Sequence, residues 1–397
     1  MLVTHVITRL IVGGAQENTV ATVLGLLDYP NYEVELISGP TAPDQPEGSI
    51  QGTVDSVPGL VHIVPELVRP VSPINDFRAL LSLRDRFIKT RPHIVHTHSG
   101  KAGVLGRLAA RLAGVPHIVH TIHGPSFGSF QGPLANGIFK WAERLVGRST
   151  DCFIGVADAM CEQYLEAGIG RPDEYQKVLS GFDLSPLLNA KNDPIIRARW
   201  GIGPDDFVIG KVGRLFRLKG HDDLLSIAPK IMEENPNAKL LLVGGGEWRE
   251  RFERIVEERG LVGRVIFTGL VRPEEVPGLI GIMDLVVHLS RREGLPRVIP
   301  QALAAGKPVV AMDSDGAREA CLDGVNGYLV PVGSTSQLAD RVAELGRDPR
   351  LRETFGQRGR QFVEQEFSKG TMVSRIVRIY DELVQDGNKS KRRSSDH

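Results

Sequence analysis

Arg214 and Lys219 stand in one short stretch, Val212-Gly-Arg-Leu-Phe-Arg-Leu-Lys-Gly220, with a glycine towards each end. An arginine can fork onto two phosphate oxygens and a lysine can set a point charge beside them, so the pair suits a diphosphate. The plainer alternative is a set of surface salt bridges. Glu293 lies in a polar loop, Ser290–Leu295, directly after the apolar run Asp284-Leu-Val-Val-His-Leu289. Gly13-Gly14 and Gly244-Gly-Gly246 follow strand-like runs, where a glycine lets the backbone approach a phosphate closely or simply makes a tight turn. Gly244–Gly246 does not complete a dinucleotide signature, since position 249 is Arg, and Gly100-Lys101 does not complete a P-loop, since Ala102 follows and the upstream glycine is absent. Histidines crowd one region: His93, His96, His98, His117, His120 and His123. His96-Thr-His98 has a spacing that a metal can use, but carboxylates are sparse there and no H-E-x-x-H occurs. The favoured reading is no metal and one functional histidine at a strand end, with His123 before Gly124 the best placed.

Local structure must put these groups together. Asp284–Leu289 reads as a buried strand, and Pro308–Ala311 as the next. Only the first four amides of a helix lack an internal partner, so Pro300 predicts a helix starting near Arg297, with Gly306 just past its end. Such a strand–loop–helix–strand unit places Glu293 and its neighbouring amides at the C-terminal edge of a parallel sheet. Open α/β sheets bind ligands at that edge, and helix starts favour phosphate oxygens.

The rest of the chain repeats the pattern. Strands are expected at Leu2–Ile7, Glu33–Ser38, His62–Val64, Ile94–His96, His117–Thr121 and Cys152–Val156. Helical stretches intervene at Asp76–Lys89, Gly103–Ala113 and Leu134–Val146, and residues 39–59 read as an exposed loop. Asn189–Pro194 reads as a linker. A second series opens at Phe207, with strands at Lys239–Val243, Val265–Thr268, Leu285–Leu289, Val309–Ala311 and Gly327–Val330. Asp340–Phe367 and Thr371–Val384 read as helices, ahead of a polar tail. Alternation of this kind argues for two parallel α/β domains.

The 397 residues carry 48 basic and 48 acidic side chains, so bulk charge gives no hint of nucleic acid. No run approaches a membrane span, and the N-terminus lacks the basic region and cleavage site of a signal peptide. Cys152, Cys161 and Cys321 have no CxxC spacing and read as reduced thiols in a cytoplasmic protein. Between Arg69 and Arg148 basic residues outnumber acidic ones, which suits either solvated helix faces or a patch for anionic lipid or a phosphorylated acceptor.

Taken jointly, the motifs resemble retaining glycosyltransferases of family 4, and the resemblance spans nearly the whole chain. Gly213-Arg214, Lys219-Gly220, Glu293-Gly-Leu-Pro296, Ala304-Ala-Gly-Lys-Pro-Val-Val-Ala311 and Asp323–Pro331 are similar to the family at large. His96–Gly103, Leu105–Gly114 and His120-Thr-Ile-His-Gly124 resemble the bacterial enzymes of capsule, exopolysaccharide and lipopolysaccharide synthesis. The resemblance implies the GT-B fold: α/β, two Rossmann-like domains with parallel sheets facing across a cleft. Residues 1–187 would bind acceptor and residues 188–370 the nucleotide sugar. The final helix, 371–386, would pack back on the first domain, and 387–397 would be disordered.

The implied reaction moves a sugar from a nucleotide-diphosphate sugar, a UDP-sugar in the first instance, to an acceptor hydroxyl with retention. His123, Arg214, Lys219 and Glu293 would be catalytic. Gly13, Gly14, Arg214, Lys219, Glu293, Gly294, Leu295, Pro296 and Gln301 would bind donor, and His98 and Lys101 acceptor. No metal or other cofactor is implied. The acceptor would be a lipid-linked or other saccharide, and the enzyme cytoplasmic, at the inner face of an anionic membrane. One position departs from the family. Its second glutamate, which holds the ribose hydroxyls, is replaced by Gln301, which keeps an acceptor oxygen but no charge. Two other readings stay open: a sugar-nucleotide epimerase, which would interconvert donor alone, and a non-catalytic sugar-nucleotide-binding protein.

Overall fold

The computed structural model describes residues 1–41, 49–128 and 131–395, with side chains as far as residue 386. The chain forms two units, one of Met1–Phe182 together with Lys369–His397, the other of Asp183–Ser368.

The first unit is built on β1 (Leu2–Ile7), β2 (Glu33–Ser38), β3 (Val61–Ile63), β4 (Ile94–His98), β5 (His117–Ile122), β6 (Cys152–Gly155) and β7 (Tyr175–Lys177). They make one parallel sheet in the order β3-β2-β1-β4-β5-β6-β7. The chain works outward from β1 to β3, returns beside β1 as β4, and works outward the other way. Right-handed crossovers then put helices on opposite faces of the two halves. One face is covered by the Gly14–Leu26 helix and the long Lys369–Ser395 helix, whose Met372, Val373, Ile376 and Tyr380 pack with Val3, Ile94 and Val119. The Pro73–Thr90 and Gly100–Leu112 helices cover the other face through Leu83, Phe87, Ala109 and Ala110. A proline opens the Pro73–Thr90 helix, and Arg91 ends it in the left-handed conformation, φ 49°.

The second unit holds β8 (Phe207–Val212), β9 (Ala238–Val243), β10 (Val265–Gly269), β11 (Leu285–His288), β12 (Val309–Met312) and β13 (Gly327–Val330). Its order is β10-β9-β8-β11-β12-β13, again parallel. Ile209, Leu240, Leu242, Leu285 and Val287 pack beneath Leu224, Leu225 and Ala228 of the His221–Glu234 helix and Leu338 and Val342 of the Thr335–Arg347 helix. Near-continuous runs of valine, isoleucine and leucine suit strands buried on both faces.

Several boundaries differ from those the sequence predicts. The first unit ends at Phe182 and resumes at Lys369, a few residues ahead of the expected breaks at 187 and 370. The stretch expected as one helix over Asp340–Phe367 is two, Thr335–Arg347 and Pro349–Glu366. Pro349 lacks an N–H and holds Asp348 out of helical geometry, and the Asp348 carboxylate accepts from Leu351 N at 2.9 Å to start the second helix. The last helix begins at Lys369 and runs to Ser395, so the expected disordered tail is helical backbone over 387–395, while 396–397 lie outside the described residues. The loop expected over 39–59 contains a short helix, Gln51–Asp55, and its residues 42–48 lie outside the described ones. The sequence reading misses β7, which is three residues long. All three cysteines are free thiols.

Candidate active site

In each unit the winding direction reverses beside the first strand, and the loops at that switch point diverge to leave a crevice. In the second unit these are the loops after β8 and β11. Gly220 sits at φ 69°, and a Cβ there would fall 2.2 Å from Leu289 O, so only glycine lets the two loops meet. Arg291 N donates to Leu218 O at 2.8 Å and joins them further. The Glu293 loop is held from behind by residues 314–316. Glu293 N donates to the Asp315 carboxylate at 2.7 Å, Gly316 N to Gly294 O at 3.0 Å, and Ser314 Oγ to Ser290 O at 2.6 Å.

This scaffold brings Lys219 and Glu293 into direct contact, Nζ to Oε1 at 2.5 Å, with His288 Nε2 2.8 Å from the other carboxylate oxygen. Burial alone would raise the Glu293 pKa, but the His288 and Lys219 contacts outweigh it and hold the carboxyl well below the usual range. Burial lowers the His288 pKa, against the opposing pull of the Glu293 carboxylate. Arg214 is exposed and, among the described residues, has no side-chain partner. Gly294 and Leu295 are half-buried and Pro296 buried; the helix begins at Val298 with Arg297 as its cap, and Gly306 follows it at φ 70°, as the sequence predicts. Gln301 lies on this helix, half-buried, and its side chain has no hydrogen-bond partner among the described residues.

Sequence reasoning misses four residues here. His288 hides at the end of an apolar run, and only its polarity immediately before the loop could have marked it. Lys211 is 2% exposed on β8. Burial, reinforced by Lys219 and opposed by Glu293 and Asp223, pushes its ammonium down to about 7. His221 is buried against Phe252, ring centroids 5.1 Å apart, with neither ring nitrogen hydrogen-bonded among the described residues. Asp315, at φ 42°, carries the loop contact described above. A lysine in a strand core and an aspartate beyond the next strand have no local motif to announce them.

The first unit's switch point has another character. A cavity of about 580 Å³ is lined by Thr8, Gln16, Ser99, Lys101, Leu105 and Ile138, among others. Gly13 and Gly14 open the helix that carries Gln16; Gly13 is in extended backbone, open to any residue. Lys101 lines this cavity but is tied to Asp76, Nζ to Oδ1 at 2.5 Å, and to Pro70 O. His98 is not at a surface. It is 1% exposed, with both ring nitrogens held by other histidines: Nε2 by His5 Nδ1 at 2.9 Å and Nδ1 by His123 Nε2 at 3.2 Å. Its expected contact with acceptor is therefore corrected to a place behind His123. His5, which the sequence reading leaves out, belongs to the same cluster because β1 pairs with β4 and sets His5 beside His96. Burial pushes His123 down to about 4 and His5 to about 3, and keeps His96 and His98 neutral. The ring nitrogens of His5, His96 and His98 come within 4.8 Å of one another, a spacing that could also hold a metal ion.

The basic excess between Arg69 and Arg148 is partly internal. Arg107 and Glu143 are fully buried and paired at 2.5 Å, and Arg86 reaches Glu35 at 2.5 Å. Arg69, Arg78, Arg144 and Arg148 remain exposed.

Two Rossmann-like units, each with its functional loops at the switch point of a parallel sheet, define the GT-B class of glycosyltransferases. Residues 192–362 match the family described as glycosyl transferases group 1, and residues 14–178 the glycosyl transferase 4-like domain. The chain belongs to this family and is a glycosyltransferase. It is 30% identical over 302 residues to the alpha-D-kanosaminyltransferase of Streptomyces kanamyceticus, covering 73% of this chain and 77% of that one. It is 27% identical to the UDP-Gal:alpha-D-GlcNAc-diphosphoundecaprenol alpha-1,3-galactosyltransferase of Escherichia coli, covering 90% and 91%. HepE of Anabaena, solved in complex with UDP, superposes with a TM-score of 0.81 at 23% identity, over 96% of this chain and all of that one.

Proposed function

We propose that this enzyme transfers a sugar, with retention, from a UDP-sugar to a hydroxyl of a lipid-linked saccharide. The observation that carries the donor assignment is the Lys219–Glu293 pair at the β8/β11 switch point. A nucleotide diphosphate leaves as an anion and needs fixed cations and dipoles around it. Lys219 and the unpaired Arg214 supply the cations, and the ionised Glu293 accepts from donor sugar hydroxyls while holding Lys219 in place. Gln301, with an open side chain, takes the ribose. His123 acts on the donor sugar. Gly13 and Gly14 offer backbone to the diphosphate.

The acceptor reading rests on apolar surface. Val71, Ile74, Phe77, Leu134, Ile138 and Trp141 are all exposed, Leu134 at 79% and Trp141 at 65%. They lie on or beside the Pro73–Thr90 and Pro133–Gly147 helices, and Val71 and Ile138 also line the cavity. Apolar patches rimmed by basic side chains suit a lipid chain at an anionic bilayer surface. No helix among the described residues is long and apolar enough to cross a membrane.

The test is a screen of UDP-glucose, UDP-galactose and UDP-N-acetylglucosamine with a polyprenyl-diphosphate-linked N-acetylglucosamine acceptor, in the presence of EDTA. One donor should give product with an axial anomeric bond by NMR. Interconversion of donor without acceptor would make the enzyme an epimerase. UDP binding without turnover on any acceptor would make it a binding protein.

A further inference from the structure

We propose that His98, His5, Tyr380, His96 and Thr121 form a hydrogen-bonded relay that fixes the ring orientation and tautomer of His123 from behind; the inference rests on the reading of His123 as the group at the donor sugar. The links are continuous. His123 Nε2 meets His98 Nδ1 at 3.2 Å, and His98 Nε2 meets His5 Nδ1 at 2.9 Å. His5 Nε2 lies 3.4 Å from the Tyr380 hydroxyl, which meets His96 Nδ1 at 2.5 Å. His96 Nε2 ends on Thr121 Oγ1 at 2.6 Å. Strand register produces the column. His5 stands opposite His96, His98 opposite Thr121, and His123 lies two residues beyond Thr121 on the same face. The long last helix lays Tyr380 across it, edge-on to His96.

A neutral imidazole has one N–H and one acceptor nitrogen. Each of His98, His5 and His96 uses both nitrogens within the chain, so none can choose its tautomer alone. One reversed ring would face donor to donor on one side and acceptor to acceptor on the other, inside a buried column where an unmet polar group is costly. Two arrangements avoid this: all four histidines protonated on Nδ1, or all four on Nε2. Among the described residues, the Thr121 hydroxyl has no hydrogen-bond partner other than His96. The satisfied arrangement has Thr121 donating to His96, His96 to Tyr380, Tyr380 to His5, His5 to His98 and His98 to His123. His123 then presents Nδ1–H outward, as a donor to a sugar oxygen. The low basicity that burial gives these rings keeps them neutral and the relay intact. Tyr380 and the four buried partners are positioning residues, since none reaches the surface.

Long-range ¹H–¹⁵N spectra of the full chain, labelled at histidine, test this. In the unaltered protein His123, His98, His5 and His96 should share one tautomer, protonated on Nδ1. In Tyr380→Phe, which keeps the ring and removes the link, His123 and His98 should become tautomer mixtures. Turnover of the donor active in the screen above should fall by up to about tenfold, the lower end of the scale for a group that orients a functional histidine, because Tyr380 acts through His5 and His98, with UDP affinity by calorimetry unchanged. Opposed tautomers along the column in the unaltered protein would overturn the relay, whether or not the variant folds. So would an unchanged His123 tautomer in Tyr380→Phe. If the tautomer changes and turnover does not, the relay stands and the placing of His123 at the donor sugar falls.

Discussion

The two switch points occupy the same topological position and carry opposite chemistry. Beside β8 the side chains are charged: Lys219, Glu293 and the exposed Arg214, with the buried Lys211, its ammonium pushed down to about 7, beneath them. Beside β1 and β4 the buried side chains are uncharged, a column of histidines held neutral by burial, next to a mostly apolar cavity whose charges, Arg9, Arg69 and the Lys101–Asp76 pair, lie on its lining. The sheet order dictates where a ligand can bind, and side chains at the strand ends decide what is bound there. A charged leaving group asks for charge that is already in place. A sugar hydroxyl or a lipid tail asks for oriented but uncharged partners.

The largest expected effect comes from removing charge at the second-unit site. Lys219→Ala should lower kcat/KM by roughly 10²-fold, the scale of a lost transition-state donor, while the melting temperature holds. Intact kinetics in a folded variant would end the assignment of charge to that site. Next in size is acid sensitivity at the neutral site. His5 and His123 have folded pKa values near 3 and 4 against 6.5 unfolded, so below 6.5 the unfolded chain binds more protons. Stability should therefore be lost as pH falls from 6.5 towards 4, followed as the melting of the first unit by hydrogen exchange. A flat response there would mean the histidines are charged or solvated.

Lys211→Met sharpens the contrast. Burial holds Lys211 down to about 7 from 10.5, so the unfolded chain binds the extra proton between these values. The buried ammonium is destabilising below pH 7, and its cost fades as pH rises towards 10. Lys211→Met should raise the melting temperature at pH 6 and have a diminishing effect by pH 9; the reverse trend would show that Lys211 is paired. The smallest effect is at Gln301. Gln301→Ala should weaken UDP binding by about 1 kcal/mol, a neutral hydrogen bond, and Gln301→Glu should tighten it at unchanged stability. If neither variant alters UDP affinity, Gln301 does not hold ribose.

How much of this is legible in the sequence depends on range. Arg214, Lys219, Glu293 and the helix start near Arg297 follow from local signals: strand-like runs, glycines, and one proline that limits where amides are needed. The contact between Lys219 and Glu293 is not local, because it depends on β11 pairing with β8 across two intervening strands. The same holds for His5, whose importance appears only when β1 is set beside β4. His98 shows the opposite failure. Its motif is visible, but burial on both sides turns an expected acceptor contact into an internal partner. The basic stretch is legible as composition, yet the fold hides Arg107 with Glu143 and leaves apolar side chains as the more telling surface.

The return of the last helix to the first unit has a consequence for synthesis. Chains emerge from the ribosome N-terminus first, and domains commonly close in that order. Here the middle segment, Asp183–Ser368, is continuous and holds all of its own core. The opening segment does not, because Met372, Val373, Ile376 and Tyr380 complete the face formed by Val3, Ile94 and Val119. The part of that apolar face not covered by the Gly14–Leu26 helix stays open until the closing stretch has been made. The later-made unit is free to finish first, and a nascent chain stalled before residue 369 would carry an open sheet face, sticky and in need of a chaperone.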